Sequence, residues 1–96
     1  MIQSFSDPST EDVFNGKDSK AARKIEKEIW SVVRRKLDMV NAAAKLDDLR
    51  VPPGNRLEAL KGDPKGRHSI RVNDRLRITF RFQDGNAHEV RCEDYH

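Results

Sequence analysis

Ninety-six residues make one domain, because a chain this short cannot support two cores. With 35% hydrophobic and 36% charged residues, the core is modest and the surface heavily charged; a net charge of +3 and a pI near 9.2 permit a polyanionic partner without demonstrating one. The single cysteine, Cys92, excludes an internal disulfide and a cysteine metal cluster, and no stretch resembles a signal peptide or approaches the ~20 apolar residues of a membrane span, so the cytoplasm is the expected location.

Taken in chain order, Ile2 to Phe5 reads as a short first strand. Asp7-Pro8 opens a helix, with Asp7 accepting from orphan amides and Pro8 at the first helical position, and Asn15-Gly16 closes it. A longer helix is expected from Asp18 or Ser19. Ala22, Ile25, Ile29, Val33, Leu37, Val40 and Ala44 recur at steps of three and four and form one apolar stripe. Lys20 to Lys27 and Arg34 to Lys36 make a basic face that is solvated or grips RNA. That helix breaks near Asn41, makes a further turn through Leu46 and Leu49, and ends before Pro52-Pro53.

Beyond this point the period changes to two. Ser69 to Val72 and Leu76 to Phe82 alternate as half-buried strands do, and Ala87 to Glu93 forms the last strand with Val90 and Cys92 facing inward. Asn73-Asp74 and Asp84-Gly85 join these runs as hairpin turns. The expected fold is therefore α+β: one domain over residues 1–96, with N-terminal helices packed on one face of a small antiparallel sheet.

The alternation directs charge. With Ile78, Phe80 and Phe82 turned to the helices, Arg77, Thr79 and Arg81 point the other way, and Arg71 and Arg75 are expected on the same open face. Lys61, Lys65 and Arg67 crowd the Gly-rich loop before the sheet. Such arginines either solubilise an exposed face or form a cationic surface whose guanidinium forks bind phosphates.

The segment Pro52-Pro53-Gly54-Asn55-Arg56-Leu57-Glu58-Ala59-Leu60-Lys61-Gly62, then His68-Ser69-Ile70-Arg71-Val72-Asn73-Asp74 and the terminal Asp94-Tyr95-His96, resembles the HigB-type toxins of bacterial type II toxin–antitoxin systems, within the RelE/ParE superfamily. The opening Met1 to Phe5 and the spacing also fit, so the resemblance spans essentially the whole chain. It implies a RelE-like fold and a ribosome-dependent endoribonuclease that cuts messenger RNA in the decoding site of the small ribosomal subunit and inhibits translation. It implies a helix-turn-helix antitoxin of the HigA type as partner, no membrane and no cofactor. It places functional weight on Lys61, Arg77, Asp94, Tyr95 and His96; the open face and the loop before the sheet offer Arg71, Arg75, Arg81, Arg67 and Lys65 as further phosphate contacts. Two positions depart from the family: Glu58 stands where some members have histidine, and Arg75 where some have asparagine.

The residues support that chemistry independently. Metal-free RNA cleavage needs a base for the ribose 2′-OH, an acid for the leaving 5′-oxygen and cations for the pentacoordinate phosphate. His96, beside a carboxylate and a phenol, has a side chain suited to either proton role. Asp94 orients His96 or is itself the base; Tyr95 stacks on a base or donates to phosphate. Glu58 reads as a replacement base or, more simply, a surface charge. His68 and His88 read as structural, Cys92 and Trp30 as core, and no metal-ligand spacing is present. The competing function is a non-enzymatic, ParE-like inhibitor of DNA gyrase, or a plain RNA-binding domain. Neither needs proton-transfer groups.

Overall fold

The computed structural model of the chain describes residues 1–94. Helix α1 (Pro8–Phe14) begins as its sequence dictates: Asp7 Oδ1 accepts from the Thr10 amide at 2.8 Å, and Pro8 fills the first position, where no amide is needed. Asn15 caps its end and Gly16 takes φ +74°, the left-handed conformation that stops a helix at low cost.

The helix expected from Asp18 or Ser19 is interrupted. Ala22–Lys24 and Lys27–Ile29 are single 3-10 turns, and helix α2 spans only Trp30–Ala42. Ile25 and Glu26 are extended between them, at ψ 129° and 128°. This break frees the Ile25 carbonyl to accept from the Trp30 indole at 2.7 Å. Ser19 pins the other side, accepting from the Ala22 amide at 3.0 Å while donating to Asp12 at 2.6 Å. Ala22 and Ile25 are nonetheless buried, because 3-10 turns also bring residues three apart to one side. Lys36, expected on the solvated basic face, is buried as well. A further 3-10 run, Leu46–Arg50, carries the turn through Leu46 and Leu49, and a short one follows at Pro53–Asn55.

The sheet is antiparallel, with four strands in the order β1 (Glu58–Ala59), β2 (His68–Arg71), β3 (Leu76–Gln83) and β4 (Asn86–Asp94). Strand β1 is not expected from the sequence: two residues are too short for a period, and both are exposed. Residues Ile2 and Phe5 do not make a regular strand. They form two isolated parallel bridges to Ala87 and Val90, covering the outer edge of β4.

Helix α2 packs on β3 and β4, and its buried Val33, Leu37 and Val40 join Ile70, Ile78, Phe80 and Val90 in one core. Burial of each such side chain stabilises by about 1.5–3 kcal/mol, so this layer holds the sheet against the helices. The outcome is the expected α+β arrangement: helices cover one sheet face and leave the other open. Among the described residues no helix is long and apolar enough to cross a membrane.

Candidate functional site

Register fixes what the open face carries. Arg77 lies between Arg71 of β2 and Glu93 of β4, and Thr79 between Ser69 and Arg91, so these six side chains share the face opposite Ile78 and Phe80. Ser69 and Thr79 are fully buried even there. Their hydroxyls are tied to longer neighbours: Ser69 accepts from Arg77 Nε at 2.8 Å, and Thr79 donates to Glu93 Oε2 at 2.5 Å.

Arg77 is the most constrained cation on this surface. Its Nη2 donates to the Arg56 carbonyl at 2.7 Å, and its Nη1 stands 3.8 Å from Glu58 Oε1 on β1. Only 13% of the side chain is exposed, so of the two readings open for the strand arginines, mere solubilising of an exposed face does not fit Arg77. The guanidinium is fixed at its Nε and Nη2 edge, with the Glu58 carboxylate near its Nη1; Glu93 stands opposite in register on β4, its carboxylate accepting from Thr79. A planar fork held in this way presents its charge without reorganising.

Four other cations are matched by acids. Arg67 Nε binds Asp63 at 2.8 Å, Lys65 binds Glu89 at 3.2 Å, Arg81 approaches Glu89 at 3.8 Å, and Arg71 pairs with Asp74. The Arg67 guanidinium and the Lys65 amide hold the Asp63 carboxyl below the usual carboxylate range, and Asp63 in turn raises Arg67. The face is thus a lattice of ion pairs, not a bare positive patch. The exposed Lys65–Glu89 and Arg71–Asp74 pairs are worth about 0–1 kcal/mol, so a phosphate with more charge can exchange for those carboxylates, whereas Arg67–Asp63 is partly buried. Lys61, on the β1–β2 loop, makes no hydrogen bond or ion pair with any described residue.

A cleft of about 420 Å³ opens at the end of β3 and β4, lined by Lys24, Ile25, Arg75, Arg91, Glu93 and Asp94. Asp94 closes β4 opposite Leu76. Arg75 is expected on the open face, but its guanidinium turns to Glu26 at 3.1 Å, on the extended link between the 3-10 turns. The Asn73 side chain accepts from the Arg75 and Leu76 amides at 2.9 and 2.7 Å and holds Arg75 in the turn.

Residues 3–96 match the family described as the RelE-like toxin of the type II toxin–antitoxin system HigB. The chain belongs to the HigB-like toxin family. It is 42% identical to Toxin HigB-1 of Vibrio cholerae serotype O1, over 91% of this chain and 90% of that one. It is also 49% identical over 41 residues to Endoribonuclease HigB of Proteus vulgaris, covering 43% of this chain and 45% of the relative. In structure it resembles the YoeB dimer from Staphylococcus aureus, with a TM-score of 0.58 at 16% identity, over 99% of this chain and 97% of that one. Membership of a type II system gives the toxin an antitoxin as its partner.

Of the residues singled out from sequence, Arg71, Arg77 and Arg81 emerge from β2 and β3 on the open face, and Lys61, Lys65 and Arg67 lie on the loop joining β1 to β2. Asp94, opposite Leu76 at the end of β4, lines the cleft with Arg75. Tyr95 and His96 lie outside the described residues. Glu58, left open between base and surface charge, stands beside Arg77. Sequence reasoning misses Ser69, Thr79 and Glu93 as site residues, although strand parity already puts Glu93 on the open side. His88 begins the last strand, and alternation with Val90 and Cys92 would put it on the inward side, but it does not face the core. Glu89 takes φ +54° at a bulge between Thr79 and Arg81, so Ala87 faces the core and His88 stands opposite Arg81.

Cys92 meets its expectation as a core residue. Burial pushes its thiol up to about 12, with the carboxylates of Asp7 and Glu93 adding to the effect. The folded toxin should therefore resist iodoacetamide at about pH 8 and react promptly once unfolded in guanidinium. Rapid labelling of the native protein, read by mass spectrometry, would contradict the burial.

Proposed function

We propose that this toxin is a ribosome-dependent endoribonuclease that cuts messenger RNA in the decoding site of the small ribosomal subunit, in the cytoplasm, and that a HigA-type helix-turn-helix antitoxin restrains it. The observation that carries the reading is the Arg77 guanidinium, held by Ser69 and the Arg56 carbonyl on an open sheet face beside the Glu58 carboxylate. The name of the Proteus vulgaris relative supports the same activity.

In this reading Arg77 meets the scissile phosphate and stabilises the charge that gathers on it as the ribose 2′-oxygen attacks. Lys61 is a second cation for the same phosphate. Arg67, Lys65, Arg71 and Arg81 hold flanking phosphates by exchanging their carboxylate partners, and Arg75 serves a phosphate from the cleft rim. A base removes the 2′-OH proton and an acid returns one to the departing 5′-oxygen, so the step is balanced without a redox partner. Asp94, Tyr95 and His96 supply these proton and stacking roles, with Glu58 as a further carboxylate beside Arg77.

Expression without antitoxin should arrest translation first. In pulse-labelled cells, methionine incorporation is expected to fall before thymidine incorporation. The reverse order would favour the gyrase-inhibitor reading.

A further inference from the structure

We infer that Lys36 is a positioning residue for cleavage, acting through Asn55 and the Arg56 carbonyl to set the Arg77 guanidinium; this rests on the reading of Arg77 as the phosphate-binding cation. The connection is continuous. Lys36 Nζ, on α2, donates to Asn55 Oδ1 at 2.6 Å. Asn55, with no exposed surface, spends its own amide on the Leu49 and Val51 carbonyls at 3.2 and 3.4 Å. The next residue, Arg56, is left-handed at φ 46° and ψ 58°, and its carbonyl accepts from Arg77 at 2.7 Å.

Two features mark this as more than a core contact. The first is that the Lys36 ammonium is paired with a neutral amide. Burial lowers its pKa from the ordinary lysine value, and Arg35 and Arg71 lower it further. A buried cation without a carboxylate is a poor source of stability, and an apolar side chain of the same length would pack there at less cost. The second is Arg56, a side-chain-bearing residue in a conformation that persists only where its surroundings over-determine it. Its amide is held by the Pro53 carbonyl at 3.1 Å, and the Asn55 amide by the Pro52 carbonyl at 3.0 Å. Asn55 locks this turn to α2 through Lys36. Without that donor, Asn55 Oδ1 is buried and unsatisfied, the turn relaxes, and the Arg56 carbonyl no longer fixes one side of the Arg77 fork.

The test is single-turnover cleavage on programmed ribosomes with the full chain, comparing Lys36→Met, Arg77→Lys and the double variant. Arg77→Lys keeps the charge but not the fork, and should leave a measurable rate. Lys36→Met should lower the rate about 10- to 100-fold with ribosome affinity unchanged, as a displacement near 1 Å does. In the Arg77→Lys background the same change should cost less than about twofold, because the carbonyl no longer has a fork to orient. The Arg77 Nε–H resonance, sharp in the parent, should broaden or shift in Lys36→Met. If Lys36→Met does not fold, Lys36→Gln, which is shorter but keeps a donor, is judged by the same non-additivity. Equal losses in both backgrounds, or an unchanged Arg77 resonance, would overturn the inference while leaving Arg77 in the site. A fully active Arg77→Lys together with a fully active Arg77→Ala would instead remove Arg77, and the inference with it.

Discussion

Arg77→Ala is expected to lower the single-turnover cleavage rate on programmed ribosomes by about 10²–10³-fold, the usual cost of losing one preorganised donor to a developing oxyanion. The loss should fall on the chemical step more than on ribosome affinity, because Arg67, Arg71, Arg81 and Lys65 remain to hold flanking phosphates. The variant is also expected to be less stable. Ser69 Oγ is buried and loses its donor, which costs about 1–3 kcal/mol. Circular dichroism should show a native spectrum with a lower melting temperature. A folded variant with full activity would take Arg77 out of the site.

Deletion of His96 is expected to cost about 10²–10⁴ in the same rate, the range for a lost general acid or base. Affinity for the ribosome should change far less. A rate within a few-fold of the parent would shift proton transfer onto Asp94 or Glu58. The two carboxylates are then separable, because Glu58 lies beside Arg77 whereas Asp94 lies on the cleft rim with Arg75.

Elements governed by strong local rules are legible in the amino-acid sequence alone. Asp7-Pro8 and Asn15-Gly16 bracket α1 because capping is a matter of adjacent residues, and alternation from Ile78 to Phe82 sorts the arginines onto the open face. The family is legible from three motifs together, and its match covers residues 3–96. What is not legible is tertiary. The spacing of Ala22, Ile25 and Ile29 fits both a continuous helix and two 3-10 turns, and the second goes with bonds the spacing does not show, from Trp30 to the Ile25 carbonyl and from Ser19 to Asp12. The bulge at Glu89 reverses the parity of His88, and nothing in the residues around it announces a φ of +54°. Lys36 reads as one more surface lysine until the fold brings Asn55, nineteen positions away, onto its ammonium. The sequence also shows nearly as many acids as bases, but not that each open-face arginine would find one of them.

The most direct test of the central claim is primer extension on a defined message in a purified translation system, with and without the toxin. A cut is expected within the translated frame, appearing only when ribosomes are engaged on the message and disappearing with Arg77→Ala. Intact message under translation, or equal cutting of naked RNA, would contradict a ribosome-dependent endoribonuclease.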